Sequence, residues 1–271
     1  MLHNTIPIHA EGTHSDATLT TYLWDHSPEI AITRRPVILI CPGGGYSWVS
    51  DREGEAVALR FMSMGFHAAV LRYSVAPDRF PTALTQLAKA VSILRENSAA
   101  WHIDAEKVIV MGFSAGGHLA ASLGVFWNRP FLCDAAGCSA ETLRPNGLIL
   151  SYPVITSDPQ HAHQDSFRKL LGEDATVQML EMVSLEKQVG SHVPRTFLWH
   201  TMEDSTVPAE NSLLFVQSLL RHGIPVEFHL YEKGPHGLSL ASELTQSTTR
   251  NRYQKECQSW TTLAETWIRN L

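Results

Sequence analysis

The sequence predicts an α/β fold: a mostly parallel sheet with helices on both faces. Short continuous apolar runs recur along the chain, as expected of strands buried on both sides. Segments with helical spacing of apolar residues separate these runs, which is the pattern of strand–helix–strand units. No internal repeat, low-complexity tract or long linker divides the chain, so residues 1–271 are expected to form one domain.

The elements follow in order. Ala17–Trp24 alternates Leu19, Thr21 and Leu23 against Thr18, Thr20, Tyr22 and Trp24, which suits an antiparallel edge strand. Pro36–Cys41 is a buried strand that ends in Pro42-Gly43-Gly44-Gly45-Tyr46. Ser50 and Glu53 have the spacing of a capping box, predicting a helix to about Met64 that Gly65 closes. Phe66–Tyr73 is the next strand. A helix over Thr82 to about Ala100 places Leu84, Leu87, Ala88, Val91 and Leu94 on one face. The run from Val108 ends in Gly112-x-Ser114-x-Gly116, and a helix should continue from there to about Trp127. Asn128–Pro145 reads as a loop, and Gly147–Tyr152 as a strand. Ile155–Val193 lacks strand character and is expected to be an insertion with one or two short helices over the C-terminal edge of the sheet. Arg195–His200 and Val226–Tyr231 complete the strands. Helices are expected over Pro208–His222, with Pro at its start and Gly223 at its end, and over Tyr253–Arg269.

Composition narrows the function. The chain is 44% hydrophobic and 18% charged, with a formal net charge of −6 and no Lys/Arg-rich run. That argues against a nucleic-acid or anionic-membrane partner. No apolar run approaches the roughly 20 residues of a membrane-spanning helix. The first residues lack a basic region followed by an apolar core, so no signal peptide and a cytoplasmic protein are expected. Cys133 and Cys138 are near in sequence, yet four reduced thiols fit such a compartment better than a disulfide. His161 and His163 have no nearby cysteine or acidic set that completes a convincing metal site and read as loop histidines. The oligomeric state is left open, a homo-oligomer included.

The chemistry centres on Ser114. A sharp strand-to-helix turn lifts a serine out of the sheet, and small residues on either side leave room for it. A serine hydroxyl needs a base, and the base needs an acid to orient it. In this architecture the order is serine, acid, histidine. Glu203 and Asp204 are the acid candidates after the Arg195–His200 strand. Asp204 is preferred, because Asp-x-x-Val-Pro leads directly into a helix. The base candidate is His236, in the tight loop Gly234-Pro235-His236-Gly237. His229 lies inside a strand. His118, one turn into the nucleophile helix, either lines the pocket or packs beneath it. The backbone amides of Gly44, Gly45 and Ala115 are the candidate donors to an oxyanion. The three glycines have neither the Lys-Ser/Thr of a phosphate-binding loop nor the spacing of a dinucleotide site. Tyr46, Trp48, Trp127 and Tyr152 fall near the strand ends, and Tyr46, Trp48 and Tyr152 are the substrate-contacting candidates.

Together these motifs resemble an α/β-hydrolase of the esterase and lipase group that carries an H-G-G-G oxyanion motif. Within that group the chain is similar to small bacterial acetyl xylan esterase-like enzymes. The likeness runs from Pro36 to about Leu240 and is carried by Pro42–Tyr46, Ser50–Glu53, Arg72–Ser74, Gly112–Leu119, Ser151–Pro153, Asp204–Pro208 and Gly234–Gly237. Pro42 stands where the group has a histidine that braces the oxyanion loop. The resemblance implies hydrolysis of small acyl esters, acetyl esters of sugar hydroxyls above all, with no metal or organic cofactor. An amidase or formamidase on the same fold, an oligopeptidase-like enzyme and a non-catalytic relative remain as alternatives.

Overall fold

The computed structural model describes residues 1–271. Eight strands form one sheet: β1 (Thr5–Ile8), β2 (Ala17–Tyr22), β3 (Arg35–Cys41), β4 (His67–Arg72), β5 (Ile103–Phe113), β6 (Gly147–Ser151), β7 (Thr196–Thr201) and β8 (Val226–Tyr231). Their order is β1-β2-β4-β3-β5-β6-β7-β8. β3 to β8 run parallel, and β2 is antiparallel to both β1 and β4.

Nine helices cover the sheet: α1 (Glu55–Ser63), α2 (Thr82–Glu96), α3 (Ala115–Phe126), α4 (Pro130–Ala136), α5 (Ala140–Leu143), α6 (Gln164–Leu171), α7 (Val177–Met182), α8 (Glu210–Arg221) and α9 (Trp260–Arg269). Successive side chains of a strand point to opposite faces, and β3 divides accordingly. Val37, Leu39 and Cys41 join the core beneath α2, α3 and α8, whereas Ile38 and Ile40 pack with α1 and α9. Both faces are therefore apolar, which explains the continuous apolar runs. Helix α3 is buried along its whole length. No helix is long and apolar enough to cross a membrane.

Register decides where function gathers. Cys41 pairs with Gly112, Phe113 with Ser151, Ser151 with Trp199 and Thr201 with Tyr231. The parallel strands thus end in a row, and the loops after β3, β5, β7 and β8 open along one edge. Such an edge is where open α/β sheets place their sites.

Several sequence expectations need correction. Ala17–Tyr22 is not the edge, because β1 pairs outside it. That strand is only four residues long and includes Pro7, which weakens its signal in the sequence. The loop expected over Asn128–Pro145 contains α4 and α5. Ser50 makes no side-chain cap; Asp51–Glu53 is a separate 3-10 turn, and α1 starts at Glu55. The capping-box spacing therefore has another meaning, given below. The four cysteines are free, as expected.

Candidate active site

Ser114 sits between β5 and α3 with φ 54 and ψ −119. A positive φ is strained for a residue with a side chain and holds only where its surroundings enforce it. Here the enclosing backbone does so. A Cβ on Gly112 would lie 2.0 Å from the carbonyl oxygen of Gly116, and one on Gly116 would lie 2.1 Å from that of Cys41. The turn closes only with glycine at both positions.

The Ser114 hydroxyl donates to His236 Nε2 at 2.7 Å, and His236 Nδ1 donates to Asp204 Oδ2 at 2.6 Å. Asp204 is itself anchored. Its Oδ1 accepts the amides of Thr206 at 3.0 Å and Val207 at 2.9 Å, while His200 Nε2 lies 3.2 Å from Oδ2. Burial alone would raise the Asp204 carboxyl, but hydrogen bonds from His200 and His236 outweigh it and hold the group well below the usual carboxylate range. An ionised carboxylate at this point fixes the proton of His236 on Nδ1. Nε2 is then left as acceptor toward Ser114. Glu203, the other acid candidate, instead accepts the amide of Gly234 at 3.0 Å.

The Gly43–Gly45 loop runs beside Ser114. The amides of Gly44 and Gly45 have no acceptor in the protein, and Ala115 opens α3, where an amide has no intrahelical partner. Gly44 has φ +130, and a Cβ there would fall 1.9 Å from the carbonyl oxygen of Trp48. No other residue fits that path. Tyr73 donates its hydroxyl to the carbonyl of Pro42 at 2.7 Å, and Glu53 Oε2 accepts the Gly43 amide at 2.8 Å. These two side chains hold a loop that lacks the bracing histidine. Glu53 Oε1 also accepts the Tyr152 hydroxyl at 2.7 Å, and the Tyr152 oxygen accepts the Ser239 amide at 2.8 Å. One buried chain therefore ties the glycine loop to the segment just past His236. The Glu53 signal was visible in the sequence as Ser-x-x-Glu, but its side chain turns inward to this network.

The aromatic candidates separate. Trp48 is 58% exposed and lines the cleft over Ser114. Tyr46 and Tyr152 are corrected: they are 3% and 1% exposed, with hydroxyls engaged by His118 and Glu53, so neither presents a face to the cleft. Trp127 is buried and donates to the carbonyl of His192. His118 packs beneath the site. Its Nε2 donates to the Val183 carbonyl at 2.8 Å, and burial lowers the imidazole to about 4.

The cleft measures about 300 Å³. Besides the glycines, Trp48, Ser114 and His236, it is lined by Arg52, His163, Asp165, Thr206 and Arg252, which sequence reasoning did not assign to it. His163 and Asp165 come from the 155–193 segment. Burial lowers the His163 imidazole, with nearby His236 adding to the effect. Histidine, cysteine and carboxylate side chains form no cluster of three able to hold a metal.

The BD-FAE family model matches residues 26–219. The chain belongs to the BD-FAE family. It is an α/β-hydrolase of the esterase group. The crystal structure of an acetyl ester-xyloside bifunctional hydrolase from Caldicellulosiruptor lactoaceticus superimposes on this BD-FAE member with a TM-score of 0.85 at 35% identity, covering 98% of this chain and 96% of that one. An endo-1,4-beta-xylanase B of Butyrivibrio fibrisolvens is 41% identical over 221 residues, 78% of this chain and 33% of the relative. An acetylxylan esterase of Xylanibacter ruminicola is 27% identical over 206 residues, 74% of this chain and 40% of the relative. The BD-FAE chain thus spans well under half of these two longer proteins.

Proposed function

We propose that the protein is a serine carboxylesterase that removes small acyl groups, acetyl above all, from xylo-oligosaccharides or related sugars. The observation that carries this reading is the hydrogen-bond chain Ser114–His236–Asp204 opening onto a cleft beside two backbone amides without protein acceptors. Ser114 Oγ attacks the ester carbonyl as its proton passes to His236 Nε2. The charge that develops on the carbonyl oxygen is met by the amides of Gly44, Gly45 and Ala115, already oriented and costing no rearrangement. The C–O bond then breaks, and the alcohol leaves with the proton from His236. Water, deprotonated by His236, attacks the acyl-enzyme and releases the carboxylic acid. Asp204 stabilises the imidazolium in both halves. The acetylxylan esterase and the acetyl ester-xyloside hydrolase among the relatives support the acyl and sugar classes. Trp48 offers an aromatic face to a sugar ring.

The relative named as a xylanase does not redirect this reading. Glycoside hydrolysis ordinarily uses two facing carboxyl groups. Here Glu53 is engaged by Gly43 and Tyr152, and Asp165 is paired with Arg168. The same reading takes the chain as a single domain with residues 155–193 forming one wall of the site.

The test is hydrolysis of 4-nitrophenyl esters from acetate to octanoate, with acetylated xylo-oligosaccharides in parallel, by wild type and Ser114→Ala. Acetate should be fastest, the sugars should lose acetate, and Ser114→Ala should be inactive. Cleavage of the aryl esters with untouched sugars would remove the sugar assignment. Equal rates for wild type and Ser114→Ala would remove the serine mechanism.

A further inference from the structure

The cleft carries two guanidinium groups that the proposed deacetylation does not use. Arg52 donates from Nε to the carbonyl of Thr245 and from Nη2 to the carbonyl of Gly237, both at 2.8 Å, and pairs with no carboxylate. The Arg252 side chain donates to no protein acceptor, and its Nε is buried without a partner. A buried, unpaired donor on a charged group is costly to leave unmade. The two arginines also repel one another: burial lowers the Arg252 guanidinium, and the charges of Arg52 and Arg250 lower it further. The Asp204 charge acts against this repulsion, but no carboxylate forms an ion pair with either guanidinium. Glu53 faces inward to Gly43 and Tyr152, and Asp165 pairs with Arg168. A chain with net charge −6 thus sets two guanidinium groups, neither of them in an ion pair, in the cleft beside its serine.

Position defines what this charge faces. Arg52 grips the carbonyl of Gly237, the residue after His236. His236 is the group that hands a proton to the departing alcohol, so the carbonyl that Arg52 holds belongs to the loop beside which that alcohol leaves. We infer that Arg252, backed by Arg52, forms a carboxylate-binding subsite, and that the preferred ester carries a carboxylate on its alcohol portion, as an acetylated saccharide containing a uronic acid would. A planar guanidinium fork matches a carboxylate with two parallel hydrogen bonds. The inference rests on the esterase reading for the chemistry and on the cleft charges for the specificity.

The experiment compares 4-acetoxybenzoate with its neutral counterpart 4-acetoxybenzamide, each rate corrected for the ester's alkaline hydrolysis. Wild type should favour the benzoate in kcat/KM. In Arg252→Gln the benzoate-to-benzamide ratio should fall about tenfold, the size of one charge-assisted hydrogen bond at a partly open site. Arg252→Lys, which keeps the charge and loses the fork, should fall between them. In parallel, calorimetric binding of 4-acetoxybenzoate to Ser114→Ala is compared with that to Ser114→Ala/Arg252→Gln, where Kd should rise about tenfold. Hydrolysis of both esters with a ratio within twofold of wild type in Arg252→Gln overturns the subsite and leaves the esterase standing. If neither ester is cleaved, the esterase reading fails, and the binding arm still decides the subsite: an unchanged Kd overturns it, a tenfold rise supports it.

Discussion

Glu53→Gln tests whether the glycine loop is held by one buried carboxyl group. The Glu53 oxygens serve two donors, the Gly43 amide at 2.8 Å and the Tyr152 hydroxyl at 2.7 Å. Tyr152 acts as a donor because burial, then the Glu53 charge, pushes its hydroxyl well above the ordinary phenol range. Glutamine has a single acceptor oxygen. If that oxygen keeps Gly43, the amide NH2 meets the Tyr152 oxygen, which already accepts from Ser239. The tyrosine proton is then stranded in a site only 1% exposed. One orphaned buried donor costs about 1–3 kcal/mol, so the variant is expected to lose about 2 kcal/mol in urea unfolding. The effect on turnover is separate. Complete loss of an oxyanion donor costs about 10²–10³ in kcat. A loop that shifts without losing its amides should lose about tenfold in kcat on 4-nitrophenyl acetate, with KM within twofold. Lower stability with unchanged kcat would refute the idea that Glu53 positions the oxyanion donors and would leave it only a structural post.

Other outcomes can be checked alongside. Asp204→Asn is expected to lower kcat by about 10⁴, because an amide no longer holds His236 in the tautomer that accepts from Ser114; a loss under tenfold in steady-state kinetics would argue against this arrangement. Gly44→Ala places a Cβ 1.9 Å from the Trp48 carbonyl at φ +130, so the loop must rebuild, and an esterase assay should find activity nearly abolished rather than modestly reduced. Trp48→Ala is expected to lower the kcat/KM ratio of acetylated xylobiose over 4-nitrophenyl acetate about fivefold, from the loss of about 1 kcal/mol of ring contact; an unchanged ratio would remove Trp48 from sugar binding. Stability should fall in acid. Burial lowers His67 and His118 to about 4 from 6.5, so both are neutral when folded while the unfolded chain takes up protons first. Their contribution is complete above pH 6.5 and is lost as pH falls toward 4, by about 2 kcal/mol each at pH 5. Urea unfolding at pH 7 and pH 5 measures this, and equal free energies would show that the two imidazoles are not buried neutral.

The sequence by itself determined the α/β class, the burial of its strands on both faces and three candidate residues, Ser114, Asp204 and His236, that the structure joins by hydrogen bonds. Strands buried on both faces must read as continuous apolar runs, and Gly112-Phe113-Ser114-Ala115-Gly116 is legible because a turn this tight excludes side chains beside the serine. Asp204 and His236 were legible from their places after successive strands, since in a parallel sheet those loops open at the same edge. What tertiary structure decided concerns direction and pairing. Tyr46 and Tyr152 stand at strand ends as read, yet their rings turn into the core and their hydroxyls serve His118 and Glu53. Glu53 has the spacing of a helix cap, but its partners lie across the chain at Gly43 and Tyr152. Arg52 and Arg252 are 200 positions apart and share a cleft only because the last loop folds back over the first helix turn. Local pattern encodes which face of an element is buried; which distant side chain completes a buried hydrogen bond depends on contacts that no local pattern records.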